Sequence, residues 1–412
     1  SALWLVPVCC RFTRGRRTSL GCFSSAMLQG VRVVELATVL AAPSATAALA
    51  DYGAEVIKVE SPAGDMWRKE ALRLTPDEPH GPLFENTNRG KKSVVMDLKD
   101  DAEVQLFHRL LATAEVFVTN VTQPALVRIG LDYETIQGRY PSLIYAHLTG
   151  WGRTGPDSGR PGYDVGAWWA ASGIMDFVRS SESAAPPRYQ PGLGDLTTAT
   201  QLLAGIGIAL YHRARTGRGQ LVDACLLRSA MYVQGCSLAM SSAAQAKTGS
   251  KGYNPDRPSP MRADRTGVVN PANNNYRTKD GKYIQLVGVE MMRHLPGILQ
   301  ALGIPHLLKE MKGFPGNKDM FIAEMDKAFA TKTEAEWTQL FDNAGVWHAR
   351  VRKLEDMLHD EQANACRSFV EVPGVASKLL ASPVLFGAGV DDVPTRRAPA
   401  LGAHTDEVLG PL

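Results

Sequence analysis

The residue with the clearest chemical use is Asp195, set in Gly192-Leu193-Gly194-Asp195 directly before a long apolar run. A carboxylate where a loop becomes a helix is accessible, and helix-terminal N–H groups can hold it ionised or stabilise an oxyanion formed on it. The same position suits an N-cap, the commonest reason for aspartate at a helix start, so the local sequence leaves both readings open. At its ordinary pKa of ~3.9 the group is ionised at neutral pH without special tuning. A second carboxylate, Asp164, follows Tyr163 after the glycine- and proline-rich residues 150–162, and Tyr163 taken alone reads as core packing. Residues 84–93, FENTNRGKKS, gather Arg89, Lys91 and Lys92 with Asn86 and Asn88 around Gly90. That composition suits phosphate oxygens, although a solvated basic loop is the default reading.

The elements that must carry these groups follow from periodicity. After Asp195, apolar residues recur at helical spacing through Leu196, Ala199, Leu202, Leu203, Ile206 and Leu210, and Gly205, Gly207 and Ala209 allow close approach to a neighbour. Arg213, Arg215 and Gly217 end that helix with cations at the negative pole and glycine beyond it. Upstream, a strand at 30–36, a helix at 42–52 and a strand at 54–60 form a βαβ unit, which predicts a parallel, doubly wound sheet. The first turn, 37–43, lacks GxGxxG, so a dinucleotide redox cofactor is disfavoured. Strands are expected at 93–98, 115–119 and 142–148, and a helix at 100–114.

Residues 243–275 turn polar and irregular, with Pro255, Pro258, Pro260 and Pro271 marking a connection. A hairpin over 276–287 with an Asp280-Gly281 turn, then helices at 294–302, 317–330 and 334–344, predict a smaller α+β domain. The tail, 381–412, reads as strand-like and turn-rich and returns to the first domain. The expected division is 1–27 leader, 28–242 large domain, 243–355 small domain with its connections, and 356–412 return.

With 412 residues, 44% hydrophobic and 21% charged, the composition is that of a folded globular chain rather than a disordered, fibrous or membrane-spanning one. A net charge of +3 is too small to imply nucleic acid. The six cysteines form no CxxC pair and have no histidine at ligand spacing, so no metal site or disulfide framework is indicated. The first residues carry Arg11, Arg14, Arg16 and Arg17, several serines and threonines, and no acid before Glu35. That composition predicts a transit peptide and a mitochondrial matrix location.

Eight segments in register, GVRVVELATVLAAP, GAEVIKVESPAGDMWR, NTNRGKKSVVMDLK, PSLIYAHLTGWGRTGP, YDVGAWWAASGIM, GLGD, HRARTGRGQLVDACLL and APALGAHTDEVLG, resemble the class III CoA-transferase family of CaiB/BaiF type. The match runs from about Gly30 to the end, and the family also contains α-methylacyl-CoA racemases. The resemblance implies an α/β fold with a Rossmann-like large domain built from both chain ends, a smaller α+β domain, and an interlocked homodimer. It implies that Asp195 is the nucleophile, forming an anhydride and then an aspartyl-CoA thioester. It maps CoA contacts onto Leu40, Ala41, Asn86, Thr87, Asn88, Asn120, Val121, Thr122, Arg128, Tyr163 and Asp164. Coenzyme A is then a substrate carrier and not a resident cofactor.

The implied partners are an acyl-CoA such as succinyl-CoA and free dicarboxylic acids, glutarate or 3-hydroxy-3-methylglutarate, with no nucleic acid and no membrane. A second carboxylate would call for an arginine, and Arg257, Arg262 and Arg265 are the candidates. Three departures from the family pattern stand out: Ser61 before Pro62 in place of a basic residue, Val121-Thr122-Gln123-Pro124 in place of aromatic-Pro-Gly, and Asn273-Asn274-Asn275 near the place of a glycine-rich lid. Racemisation is the main rival. It needs two acid/base groups, and racemase-type sequences carry histidine where Tyr163 stands; tyrosine, with an ordinary pKa of ~10, is a poor proton shuttle at neutral pH. A non-catalytic acyl-CoA-binding protein is the other rival, and it would need no nucleophile.

Overall fold

The computed structural model describes residues 26–69, 79–180, 183–248, 270–387 and 395–412. The transit-peptide reading therefore lies almost wholly outside the described residues, as do Arg257, Arg262 and Arg265.

Valine-rich runs bounded by turns form the strands β1 (Arg32–Leu36), β2 (Glu55–Glu60), β3 (Lys92–Val95), β4 (Val116–Thr119), β5 (Ile144–Thr149) and β6 (Leu221–Cys225). They make one all-parallel sheet in the order β3-β2-β1-β4-β5-β6. Both faces are covered, as parallel sheets require. The helices of this part are α1 (Ala41–Asp51), α2 (Pro82–Asn88), α3 (Asp101–Leu111), α4 (Gln123–Arg128), α5 (Tyr133–Arg139), α6 (Ile174–Phe177), α7 (Leu193–Thr216), α8 (Leu226–Val233) and α9 (Gly235–Thr248). One core joins α1 and α7 to the sheet through Ala42, Ala45, Leu49, Leu202 and Ile206, and the opposite core uses Phe107, Phe117, Leu126 and Tyr145.

Helix α7 is long and apolar enough to cross a bilayer by length and composition, yet Thr198, Ala199, Leu202, Ile206 and Ala209 are buried along its sheet-facing side. Gly205 lets it approach β6, where an added Cβ would stand 2.6 Å from Val222. Gly207 meets nothing within 4 Å, so the expected close packing is made by Gly205 and the buried Ala209 and not by Gly207.

The predicted hairpin is present as β7 (Asn275–Arg277) and β8 (Tyr283–Leu286), joined by β9 (His348–Arg350) in an antiparallel sheet. Helices α10 (Met291–Ala301), α11 (Lys318–Phe329) and α12 (Glu334–Ala344) pack on it, and Thr333 and Glu336 close a capping box at the start of α12. This part has a core of its own around Tyr276, Phe329, Trp337 and Phe341. Of the three asparagines near the expected lid, Asn274 is buried and Asn275 opens β7. The tail returns to the large sheet, where a short helix, Thr405–Leu409, lies beside β3. Among the described residues, the strand-like character expected there is confined to Phe369–Val370 paired with Leu379–Leu380, before the predicted segment.

Candidate active site

In the order β3-β2-β1-β4-β5-β6 the direction of winding reverses between β1 and β4, the place in an open α/β sheet where ligands generally bind. Residues 37–40 follow β1 and residues 120–122 follow β4. The Asn120 side chain ties them together: its Oδ1 accepts the Thr38 N–H at 3.1 Å and its Nδ2 donates to the Thr38 carbonyl at 2.8 Å. Leu40 is the half-buried N-cap of α1 and Ala41 its buried first residue. Behind the second loop, His147 bonds the Val121 carbonyl at 2.9 Å.

The head of α7 abuts the first loop. Gly192 is its N-cap in a left-handed conformation, φ 78°, and a Cβ there would lie 2.8 Å from Leu40 Cδ2. At Gly194 a Cβ would stand 2.5 Å from the Trp168 ring. The two glycines thus serve different ends, one a backbone angle and one a contact with an indole. Asp195 sits three residues beyond the cap, in the first turn, so it is not itself the N-cap.

The carboxylate that bonds the head of the helix is that of Asp164. It is buried at the start of a π-helical segment, Asp164–Ala170, and its Oδ2 accepts the Gly192 N–H at 2.9 Å. Burial raises the Asp164 pKa, while the N–H groups of Gly192, Val165 and Gly194 pull the other way. Burial, followed by the charge of Asp164, pushes the half-buried Asp195 up to about 7. The expectation that Asp195 is ionised without tuning is therefore corrected: burial first, and then the charge of the neighbouring Asp164, disfavour its charged form.

The basic loop is also corrected. Residues 82–88 form α2, and all three cations are committed. Arg89 grips Asp51 with two bonds of 2.6 and 3.1 Å, Lys91 is buried against Glu35 at 2.7 Å, and Lys92 pairs with Glu55 and Glu407 at 2.7 and 2.8 Å. Arg89 and Lys91 are thus buried away from any phosphate, and Lys92, partly exposed, is held by two glutamates. Thr87 and Asn88 are buried, bonding the Leu83 and Phe84 carbonyls, and Asn86, half-buried, accepts the Leu380 N–H at 2.9 Å. At 1% and 0% exposure, Thr87 and Asn88 offer a ligand neither side chain nor backbone.

Arg128, the last residue of α4, is exposed, as are Thr122 and Tyr163, the latter at 60%. Gly150 and Gly162 bring the two ends of the loop before Tyr163 into backbone contact, with a Cβ on Gly150 only 2.5 Å from the Gly162 Cα. Thus Asp195, Asp164, Leu40, Ala41 and Asn120 lie around the α7 head and its neighbouring loops, whereas Thr87 and Asn88 turn inward. Trp168 was not anticipated from sequence, since a tryptophan pair in an apolar run looks like any core segment.

The model for CoA-transferase family III matches residues 28–405. The chain belongs to that family. Its coarse activity is accordingly that of a class III CoA-transferase. Among curated relatives, it is 36% identical to the cinnamoyl-CoA:phenyllactate CoA-transferase of Clostridium sporogenes, covering 93% of this chain and 92% of that one. It is 31% identical to the succinyl-CoA:glutarate CoA-transferase of Homo sapiens, covering 93% and 85% respectively. Among solved structures, a CAIB/BAIF family protein from Brucella suis superposes with a TM-score of 0.76 at 28% identity, covering 93% of this chain and 98% of that one. The six-stranded parallel α/β fold is thus the family's.

Proposed function

We propose that Asp195 is the nucleophile of a transferase moving CoA from succinyl-CoA to a free dicarboxylic acid, glutarate or 3-hydroxy-3-methylglutarate. The observation that carries the reading is the placement of a half-buried carboxylate in the first turn of α7, against the loop that follows β1 at the sheet's reversal point. An Asp195 oxygen attacks the thioester carbonyl, forming a mixed anhydride and expelling CoA thiolate. The thiolate then attacks the aspartyl carbonyl, which leaves aspartyl-CoA and releases the donor acid. The acceptor carboxylate attacks aspartyl-CoA and the two steps run in reverse, restoring Asp195. Coenzyme A meets the protein at Leu40, Ala41, Asn120, Val121, Thr122, Tyr163 and Asp164, with the half-buried Asn86 beside them and the exposed Arg128 for phosphate.

Support for dicarboxylates is the 31% identity to the human succinyl-CoA:glutarate enzyme. A second reading, an aryl or hydroxy monocarboxylate, is favoured by the 36% identity to the cinnamoyl-CoA:phenyllactate enzyme. We also propose a homodimer, because α7, α8 and α9 expose Ile208, Tyr211, Tyr232, Val233 and Met240.

The test is incubation of the protein with succinyl-CoA or an aryl-acyl-CoA and a panel of free acids, with hydroxylamine as trap. Hydroxamate at Asp195 is expected with the preferred donor. Asp195→Ala should bind CoA yet transfer nothing. Transfer by that variant would refute the nucleophile, and a profile confined to monocarboxylates would move the substrate reading to the second class.

A further inference from the structure

Beneath the loop after β1 lies a cluster of four ionised side chains with no role in the steps above. Glu35, Lys58 and Lys91 have no exposed side-chain surface, and Asp65 is buried too. Two ammonium groups offer six N–H bonds, and the structure supplies six oxygens. Lys58 Nζ reaches Glu35 Oε1 at 2.9 Å, Asp65 Oδ2 at 3.0 Å and the Ala37 carbonyl at 2.7 Å. Lys91 Nζ reaches Glu35 Oε2 at 2.7 Å, the Pro43 carbonyl at 3.0 Å and Asn88 Oδ1 at 3.0 Å. The second Glu35 oxygen also accepts the Thr46 hydroxyl. Two positive and two negative charges cancel, which is what lets buried ions persist.

The cluster grips the loop at three backbone points: the Ala37 carbonyl through Lys58, the Pro43 carbonyl through Lys91, and the Val39 N–H, shared by both Asp65 oxygens at 3.3 and 3.4 Å. Val39 is one of two non-glycine residues at positive φ among the described residues, at 71°. A β-branched residue resists that conformation and adopts it only where its surroundings impose it. The consequence reaches the site, because the next residue, Leu40, abuts the Gly192 cap of the helix bearing Asp195.

We propose that Asp65, seated on Lys58, is a positioning residue for CoA binding: it holds Val39 left-handed and so sets Leu40 and Ala41 against the nucleotide and the head of α7. This rests on the reading above that Leu40 and Ala41 meet CoA. A group that only supported the fold would alter stability without separating donor from acceptor.

The experiment titrates free CoA into the full chain by calorimetry and measures steady-state transfer for wild type, Asp65→Asn, Val39→Gly and the double variant. Asn keeps the shape and an acceptor but removes the charge. Asp65→Asn should weaken CoA binding and raise the KM for the acyl-CoA by about five- to tenfold, with kcat and the acceptor KM within about twofold. Val39→Gly, free at positive φ, should stay near wild type alone and recover most of the loss in the double variant. Equal CoA affinity in Asp65→Asn and wild type overturns the proposal. So does a uniform loss that Val39→Gly leaves unrelieved, even where melting temperatures show the variants folded. Wild type that binds no CoA would instead remove the reading on which the proposal stands, and the proposal with it.

Discussion

At the scale of the residue, the decisive relation is between Asp195 and Asp164. The attacking species is the carboxylate, so with Asp195 pushed up to about 7 the free enzyme's kcat/KM should fall below that pH, approaching tenfold per unit. Asp164→Asn removes the second cause of the rise and leaves burial, so the midpoint of the limb should move to lower pH. An unmoved midpoint would show that Asp164 does not act on Asp195. Stability carries the opposite sign. A carboxyl whose folded pKa is raised favours the neutral form, so the native state loses stability as pH climbs from 3.8, the unfolded value, to about 7, and is constant above. The melting temperature of Asp195→Asn should therefore gain on wild type across that window and hold its lead at higher pH.

What could be read of these residues from sequence was their chemical type. Asp195 was singled out by its glycines, but the direction of its pKa depends on Asp164, 31 positions away, and no local pattern reveals that contact. The cations of residues 89–92 misled for a related reason. Composition reports charge, whereas their partners Asp51, Glu35, Glu55 and Glu407 come from four other places in the chain. Lys58 and Asp65 lay in plain view within GAEVIKVESPAGDMWR, yet nothing in that segment shows that both are buried.

At the scale of the element, α7 is governed by what its glycines touch. Gly194→Ala drives a methyl group into the Trp168 ring, and since a packed indole yields little, the cost should be about 1–3 kcal/mol, read from chemical denaturation. Because the clash lies beside Asp195, kcat should fall with it. Gly207→Ala meets open space and should be neutral or slightly stabilising through helix propensity. A Gly194 variant as stable as the Gly207 one would refute this account of the GLGD segment. Periodicity located β1, α1 and β2 within a residue or two, because strand and helix patterns there are uninterrupted. It missed β6, whose five residues follow directly on the RTGRGQ turn, and it read α2 as loop because NTN carries no apolar stripe.

At the scale of the whole molecule, several of the apolar residues left outside the core lie on the consecutive helices α7, α8 and α9. Ile208 and Tyr211 lie one turn apart on α7 and are 68% and 64% exposed, while Tyr232 on α8 is 79% exposed. Exposed apolar side chains of this size favour association, so light scattering should give twice the mass of one chain. Ile208→Asp combined with Tyr232→Asp should lower it toward one; a wild-type mass of one chain at micromolar concentration would refute the dimer. The tail has a different consequence. Strand β3 is an edge of the large sheet, and its outward amides at Ser93 and Val95 are met by side chains, His404 Nδ1 at 3.2 Å and Thr405 Oγ1 at 3.1 Å, while the Ser93 carbonyl takes the His404 N–H. An open strand edge invites pairing with other chains. Here the groups that seal it stand 311 and 310 positions beyond the strand residues they meet, so a growing chain carries an unsealed sheet edge until that distant segment has been added.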